Sequence, residues 1–418
     1  MPQPPATPPL IEAEPSRYRW FILALLTAIG ALVAALPASC MPALFKEMAD
    51  DLGLTLVDIG MIWGIASLAG LFVSILGGVL SDRLNVKWFI GISCVLVGIT
   101  GAMRGLADSF FTLALTVFLN GIIRLMLPIA VTKTIGIWFK GRNLGTAQGI
   151  GAMGMGFGLM LGPLISATVV SPALGGWRNV MYLYGGIAVL IGLLWLVFGR
   201  EPSRMDATGT ITARIPAGVA LGRILRNKYV WFLGLMLFFR VACLMGVTGY
   251  IPTYLKNLGW AEGSADGVLA AFYAVSTLLV VPVSSLSDRI GRRKPVLLVG
   301  MAFSMLSVAL IPFVDGAGVW VMVILAGMLM DGFMALFTTM LLETEGVGPA
   351  LSGTAIGVVF TVAQLGSTIS PPIGNALEAF GGQWPFIFWA VLGAVALIPF
   401  VFTRETGRRR LKTLNLKP

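Results

Sequence analysis

The sequence predicts an all-α integral membrane protein, with twelve transmembrane helices arranged as two pseudo-symmetric six-helix bundles. Composition supports this prediction: 57% of the 418 residues are hydrophobic and 11% are charged, whereas soluble domains carry about 25% charged residues. Apolar runs long enough to cross a hydrocarbon core of roughly 30 Å recur along the chain. Short motifs also repeat at a nearly constant offset. Together these observations exclude a soluble globular protein.

Polar breaks separate twelve apolar runs, each of the length that a transmembrane helix requires. We label them α1 to α12 in chain order: 20–40, 58–80, 88–107, 111–134, 144–168, 179–199, 229–254, 267–286, 295–313, 320–342, 351–373 and 384–403. Because twelve is an even number, both chain ends are expected on one face. About 22 of the 29 Lys and Arg residues belong to that face, the excess that marks the cytoplasmic side. The net charge of +10 therefore reflects topology and not nucleic-acid binding.

The breaks between these runs predict how the chain is organised. Residues 1–19 are proline-rich and lack the early basic residue of a signal peptide, and we expect them to form a disordered cytoplasmic tail. Two six-helix bundles, at 20–199 and 229–403, are joined by a cytoplasmic linker at 200–228 that is too hydrophilic to span a membrane. Residues 404–418 form a basic cytoplasmic tail.

The second half of the chain repeats landmarks of the first. Asp82 and Asp288 both follow a serine and precede an arginine, and they are 206 residues apart. Pro163 and Pro371 are 208 residues apart. Parallel six-helix repeats of this kind are found in a large class of secondary transporters.

The sequence contains no indication of an enzyme or of a bound cofactor. There is no histidine, no GxxxxGK[ST] phosphate loop and no nucleophile–base pair. The cysteines Cys40, Cys94 and Cys243 lie in or beside apolar runs, without the spacing of a disulfide or metal framework. They are predicted to be small core residues. We therefore expect no metal, no cofactor and no catalytic residue.

The loop after α2 and its repeat after α8 resemble the signature of the major facilitator superfamily, which has the form GxxxDRxGRR. The first copy has Asn85 at the usual glycine, and the second copy, SDRIGRRK (287–294), is nearly complete. The resemblance covers essentially the whole chain and implies the twelve-helix fold of a bacterial-type secondary transporter. It also implies that this loop locks a cytoplasmic gate. The gating residues are then Asp82, Arg83, Lys87, Asp288, Arg289 and Arg292.

Two further positions bear on this resemblance. In α5, Gly158, Gly162 and Pro163 are similar to the GxxxGP element common in proton-coupled members of the superfamily. Small residues at this spacing also let helices pack closely, so packing alone is the alternative explanation. The arginine that the family usually carries in α4 is absent, because Val117 occupies about that place.

Three ionisable residues lie where topology does not place charges: Arg124, Arg240 and Asp331. At 1.5 Å per residue they are roughly 16 to 20 Å inside α4, α7 and α10, too deep to reach an interface. A charge at this depth costs about 2.5–3.5 kcal/mol and persists when it faces water or a partner. In the superfamily that the chain resembles, the first, fourth, seventh and tenth helices line the central cavity.

Two arginines against one aspartate leave an excess positive charge, which suits a carboxylate or a similar oxyanion. Arg124 and Arg240 are therefore the predicted substrate ligands, and Asp331 is either the proton-coupling carboxylate or the counter-ion of an arginine. The residues that could assist substrate binding are Asn120, Thr338, Gln148, Gln364 and Tyr273. The alternative is an ion pair between Asp331 and one arginine that only holds the two halves together.

These residues predict a secondary active transporter for a small organic or inorganic anion, carboxylate-like, that works by alternating access in the cell inner membrane. A proton is the expected coupling ion. The alternative is a multidrug or metabolite exporter working by proton antiport. Two midplane arginines would repel the lipophilic cations that such an exporter binds. The expected partners are the anion, the proton and the lipid bilayer, and a monomer is the usual state in the family. Arg104, near the end of α3, is expected to extend to the membrane surface.

Overall fold

The protein is described by a computed structural model over residues 17–83, 85–139, 144–200 and 217–406, and no strand occurs in these ranges. The helices that correspond to α1–α12 are Tyr18–Leu52, Leu56–Arg83, Val86–Leu106, Phe110–Trp138, Leu144–Leu174, Trp177–Phe198, Lys228–Asn257, Glu262–Ile290, Lys294–Phe313, Ala317–Leu342, Gly348–Ala376 and Trp384–Val401. Eleven of them are long and apolar enough to cross a membrane, and α2 adds a shorter apolar stretch, Leu56–Leu71. The predicted all-helical membrane fold is confirmed.

Several helices are longer than the apolar runs that predict them. The prediction ends α1 at residue 40, but the helix continues to Leu52 and stops at Gly53, whose φ of 64° is left-handed. The added turns contain Lys46, Glu47 and Asp51, which lower the hydropathy but do not interrupt a helix. Hydropathy therefore marks where the apolar environment ends, whereas a glycine that can adopt positive φ marks where the helix ends.

Interruptions of the regular α-helix distinguish four of the described helices. In α1 a π-helical segment, Ile29–Ala35, precedes Pro37. In α5 the π-helical segment Ser166–Val170 follows Pro163. In α4 and α10 the α-helix is broken at residues 125–126 and 328–329. Breaks of this kind free backbone groups and change the direction of a helix, and in membrane proteins they occur where the backbone is covered by protein or lines a cavity.

The two faces of the molecule are named from the chain ends. The start of α1 and the end of α6 meet where the Tyr18 hydroxyl donates to the Phe198 carbonyl. We call this side, which also holds the start of α7 and the end of α12, the terminal face. The side that holds the loops 53–55 and 258–261 is the opposing face.

Glycines allow the closest helix crossings inside each half. Gly98 of α3 and Gly185 of α6 face each other so closely that a Cβ on either would be 2.6 Å from the carbonyl oxygen of the other. In the C-terminal half, Gly246 of α7 and Gly374 of α11 lie against the ring of Trp389. Small residues thus bring backbones together in the way that helix pairs in lipid require.

The two halves meet through α2 with α11 and through α5 with α8, and the described contacts close the opposing face. Trp63 Nε1 donates to the Met245 carbonyl at 2.9 Å, and Asn375 Nδ2 donates to the Leu56 carbonyl at 2.8 Å. These residues lie in the half of the membrane thickness nearer the opposing face.

The predicted tails and most of the predicted linker cannot be compared with the structure. Residues 1–16, 201–216 and 407–418 lie outside the described part of the chain. The end of the linker forms a short helix, Ala217–Leu225, just before α7. The proposed domain boundaries stay predictions.

Candidate functional site

Arg124 lies at the interruption of α4. The first segment of this helix, Phe110–Arg124, ends at the arginine, and the second begins at Leu127. The arginine side chain is half-buried, and its Nη1 donates to the Ala34 carbonyl of α1 at 3.3 Å. Ala34 belongs to the π-helical segment near the middle of α1. The predicted depth of Arg124 in the membrane thus coincides with the irregular parts of two helices.

Arg104 is buried, which shows that its predicted extension to the membrane surface is wrong. Only 3% of the residue is exposed. Its Nη1 donates to the Pro37 carbonyl at 3.3 Å, and its Nη2 donates to Oδ1 of Asn120. The helix α3 ends in a 3-10 turn, Arg104–Leu106, and the long side chain reaches from this turn toward the middle of α1. Polar acceptors inside the bundle replace the water that it would find at the surface.

Asn120 is a hub of hydrogen bonds rather than a free ligand. It is 1% exposed, accepts from Arg104, and donates to the Val97 carbonyl at 2.9 Å and to Thr100 Oγ1 at 3.0 Å. Both sides of the amide are therefore in use. Asn120 fixes the position of the Arg104 guanidinium between α1, α3 and α4.

Arg104 and Arg124 line one cavity in the N-terminal half. Its volume is about 300 Å³ including its open side, and its wall is formed by α1, α2, α3 and α4. The lining residues are Ala38, Met41, Ile62, Trp63, Ala66, Arg104, Val117, Asn120, Gly121 and Arg124. The wall thus contains two guanidiniums and no carboxylate. Two like charges in a low-dielectric site are costly unless an anion neutralises them.

Asp331 lies just after the interruption of α10 and contacts a serine. Its Oδ2 accepts from Ser276 Oγ at 2.6 Å, and its backbone N–H donates to the same oxygen at 3.0 Å. The carboxylate is half-buried. Tyr273, one turn before Ser276 on α8, is buried at 6% exposure. Asp331 is 207 positions after Arg124, within the offset of 206 to 208 that relates the two halves.

Arg240 lies inside the C-terminal half. Its guanidinium carbon is 3.9 Å from the centre of the Phe333 ring, and its Nη2 donates to the Leu329 carbonyl at 3.4 Å. It also borders a cavity of about 230 Å³ with residues of α7, α9 and α12, among them Ser304 and Gly393. This cavity is separate from the one that Arg124 lines.

The ion pair considered between Asp331 and an arginine is not formed. Within the described part of the chain, neither Arg124 nor Arg240 has a nitrogen within 4.0 Å of the Asp331 carboxylate. Ser276 contacts the carboxylate instead. The three midplane charges therefore act separately in this conformation, and the explanation that they only hold the halves together is wrong for it.

The remaining predicted substrate residues do not line the Arg104–Arg124 cavity. Gln148 Nε2 donates to the Thr132 carbonyl at 2.9 Å and ties the start of α5 to α4. Gln364 faces Gly70 of α2, where a Cβ would overlap its amide. Thr338 is half-buried two turns beyond Asp331. Asn120 and Arg124 are the two predicted substrate residues that the fold brings to one cavity.

In the first copy of the signature loop, Asn85 has a structural role. Its side chain accepts hydrogen bonds from the N–H groups of Lys87 at 3.0 Å and Trp88 at 3.4 Å, which caps the start of α3. The departure from the family's glycine therefore supplies a helix N-cap. The side chains of Asp82 and Arg83 lie outside the described residues.

In the second copy of the signature loop, Arg293, which is next to the predicted gating residue Arg292, contacts the neighbouring helix ends. Arg289 and Arg292 are exposed, and the Asp288 side chain lies outside the described residues. Arg293 instead forms an ion pair with Glu343 at the end of α10, with Nη2 2.9 Å from Oε1. Glu405, beyond α12, accepts from the backbone N–H of Arg293 at 2.9 Å. The loop is thus bound to two neighbouring helix ends.

The sequence gives no direct signal of a buried ion pair at the opposing face. Lys256 Nζ is 3.0 Å from Asp266 Oδ1, and the two side chains are 4% and 0% exposed. The same Nζ donates to the Ala43 carbonyl of α1 at 2.7 Å. Lys256 lies at the end of α7 and Asp266 four residues into α8, where charges normally lie in water. Both lie inside the protein because α1 packs against α7 here and α8 packs against α5, α7 and α10.

A protein family, several relatives and solved structures match this chain over most of its length. The family model described as Major Facilitator Superfamily matches residues 27–269 and 255–417. The "Nitrite extrusion protein" of Bacillus subtilis (strain 168) is 24% identical over 363 residues, which cover 86% of this chain and 87% of that protein. The "Phosphoglycerate transporter protein" of Salmonella typhimurium is 24% identical over 445 residues, covering 97% and 93%. A solved bacterial homolog to the human lysosomal transporter Spinster, inward-facing and occupied, has a TM-score of 0.77 at 17% identity and covers 92% of this chain and 96% of that chain.

Proposed function

The chain belongs to the Major Facilitator Superfamily and is a multi-span membrane transporter, not an enzyme; from this premise we propose that it moves a small carboxylate-like anion by alternating access, with a proton as the coupling ion. The two relatives described above are named for the anions nitrite and phosphoglycerate. We further propose a cell inner-membrane location and a monomer. The termini are proposed to be cytoplasmic because the basic residues of the sequence collect on the terminal face.

The observation that carries the proposal is the position of Arg124. It lies at a helix interruption, half-buried, on the wall of a cavity that contains a second guanidinium and no carboxylate. A planar guanidinium with several N–H donors is the side chain best suited to grip an oxyanion. A lipophilic cation would meet repulsion in the same cavity, which disfavours the exporter alternative.

Asp331 is proposed as the proton-coupling carboxylate. It is 207 positions after Arg124, and both residues lie beside an interruption of their helix, Arg124 just before the break in α4 and Asp331 just after the break in α10. The Ser276 hydroxyl donates to the ionised carboxylate at 2.6 Å and stabilises that form. Uptake of a proton on Oδ2 would convert this oxygen from an acceptor to a donor, so the Ser276 hydroxyl would then accept rather than donate. A change of hydrogen bonding at a helix break can bias the rocking of one half against the other.

The proposed cycle uses the closed opposing face. In the described conformation Trp63 and Asn375 connect the halves there, and the anion is proposed to reach Arg124 from the terminal face. Rocking about the midplane would break these contacts and expose the same site to the other side. Arg240 stays a proposed substrate residue for that second conformation, because in this one its guanidinium lies on the Phe333 ring.

Uptake into proteoliposomes tests the proposed function. Labelled nitrite, phosphoglycerate and short carboxylates are offered with and without an imposed pH gradient. The wild type should accumulate at least one of these anions, and Arg124→Gln should reduce that uptake about tenfold or more, the effect of losing a charge-assisted contact. Arg226→Gln, an exposed arginine next to the short helix before α7, is the matched control and should transport normally. Uptake of a lipophilic cation without any anion would mean that the proposal is wrong.

A further inference from the structure

We infer that the cavity takes a small organic dianion, and that Arg104 is a second substrate-binding guanidinium beside Arg124. This inference rests on the proposed function and names the substrate class of the same site. Arg104 lies near the end of α3, and its burial in the bundle brings it to the wall of this cavity. A dianion here means two carboxylates, or a carboxylate with a phosphate or sulfonate, on a short carbon chain.

The two guanidiniums are anchored to the same stretches of two helices. Arg104 is held by the Pro37 carbonyl and by Asn120, and Arg124 is held by the Ala34 carbonyl. Ala34 and Pro37 are three residues apart on α1, and Asn120 and Arg124 are four apart on α4. Such spacings correspond to about one helical turn, a rise of roughly 4.5 to 6 Å. The anchors of the two cations therefore differ by one turn, a separation that suits an anion with two charged ends.

Both arginines retain unused hydrogen-bond donors. A guanidinium has five N–H donors, and the described hydrogen bonds use two of them on Arg104 and one on Arg124. Arg104 Nε is buried and has no partner within the described part of the chain. A buried donor without a partner costs free energy, which an arriving acceptor recovers.

The charge of the cavity sets the charge of its ligand. The lining contains two cations and no carboxylate, and Asp331 lies with Ser276 rather than on this wall. A monoanion would leave one buried charge without compensation, whereas a dianion compensates both. Because the compensation occurs in a low-dielectric site, the preference for two charges should be large.

The rest of the wall indicates an organic rather than an inorganic dianion. Met41, Ile62, Trp63 and Ala66 contribute apolar surface to the wall that also contains the two guanidiniums. This surface offers contacts to carbon atoms and none of the donors that a sulfate or phosphate ion would need on its remaining oxygens.

Titration calorimetry on the full-length protein in detergent tests the inference with ligands matched in length. Malonate, succinate and glutarate are each compared at neutral pH with the monocarboxylate of equal carbon number. In the wild type the best dianion should bind about tenfold or more tightly than its monoanion partner. Arg104→Gln should remove that preference while leaving binding of the monocarboxylate nearly unchanged, and the control Arg226→Gln should retain the preference.

Each outcome decides between the claims. Equal binding of dianions and monoanions by the wild type, or an unchanged ratio in Arg104→Gln, would overturn the dianion inference and leave the proposed anion transport standing. If the wild type neither binds nor takes up any of the anions, the proposed function itself is overturned. If Arg104→Gln does not fold, Arg104→Lys replaces it. Lysine keeps the charge but not the forked donors, so it should retain part of the preference.

Discussion

Lys256 and Asp266 form an ion pair with a nitrogen–oxygen distance of 3.0 Å, and the lysine also donates to the Ala43 carbonyl at 2.7 Å. The pair belongs to α7 and α8, whereas Ala43 belongs to α1. One ammonium group therefore connects the two halves at the opposing face. Both side chains are almost completely buried, so the pair is exchanged for water only when this face opens.

Removing the lysine charge should destabilise the closed opposing face. Lys256→Met leaves the Asp266 carboxylate buried without its partner, which in comparable buried pairs costs about 3–5 kcal/mol. We expect a lower melting temperature in detergent and a shift toward conformations in which this face is open. Spin labels at Leu106 and Phe313, both exposed at opposing-face helix ends, should report a longer distance in double electron–electron resonance. The three native cysteines are replaced in this background.

The double variant Lys256→Met, Asp266→Leu separates the ion pair from its surroundings. Replacement of both partners by apolar residues is often neutral, because no buried charge remains. The melting temperature should recover, while the Ala43 carbonyl still loses its cross-half donor. If Lys256→Met alone has the melting temperature and the spin-label distances of the wild type, the pair does not stabilise the closed face.

The order of the helices follows from the sequence, but the direction of Arg104 and the burial of Lys256 do not. Hydropathy depends on each residue and its chain neighbours, so apolar runs predict spans well. Whether a charge near a helix end meets water depends on helices distant in sequence. Arg104 can be buried because Asn120 Oδ1 and the Pro37 carbonyl accept hydrogen bonds from its guanidinium. Lys256 is covered because α1 extends well beyond its apolar run.

The sequence predicts which charged residues lie deep in the membrane, but not which residues they contact. Depth alone identifies Arg124 and Asp331, because a charge in the middle of an apolar run has no surface to reach. Depth does not say which charges meet. The geometry shows Asp331 with Ser276 and Arg124 with a second arginine on the same wall. A serine on an apolar helix is too common to predict such a contact.

Asp331→Asn should separate coupling from exchange. Asparagine keeps a hydrogen-bonding side chain near Ser276 but cannot take up a proton in the working pH range. We expect loss of accumulation driven by a pH gradient, while exchange of internal for external substrate continues. Ser276→Ala, which leaves the carboxylate, is the companion variant and should shift the pH dependence of uptake without abolishing accumulation. Unchanged accumulation by Asp331→Asn would show that this residue does not carry the proton.

Gly64→Ala should disturb the contact between the halves. A Cβ on Gly64 of α2 would overlap the Thr368 carbonyl oxygen of α11, and backbone cannot move aside as a side chain can. Overpacking of this kind costs about 1–3 kcal/mol, and here the cost applies to the closed opposing face. The label pair at Leu106 and Phe313 should therefore show a larger open population. Gly136→Ala, where a Cβ meets no atom within 4 Å, should behave as the wild type.

Gly158→Ala should instead destabilise the protein in every conformation. Gly158 of α5 faces α1 within the N-terminal half, and a Cβ there would overlap the Ala31 carbonyl oxygen and lie 2.7 Å from the Ala35 Cβ. Because this contact is internal to one half, rocking of the halves does not relieve it. We expect a loss of about 1–3 kcal/mol, seen as a lower melting temperature with an unchanged distribution of label distances.

Gly149→Ala is the matched control for this variant, since it lies in the same helix with open space around its Cβ position. Alanine there reduces the freedom of the unfolded chain, so its melting temperature should equal or exceed that of the wild type. Gly158→Ala could instead show a normal melting temperature and altered label distances. That result would contradict the expectation that the contact of α1 with α5 stays fixed, because the contact would then change when the halves rock. The contrast between Gly158 and Gly64 thus tests whether α1 and α5 move as one unit.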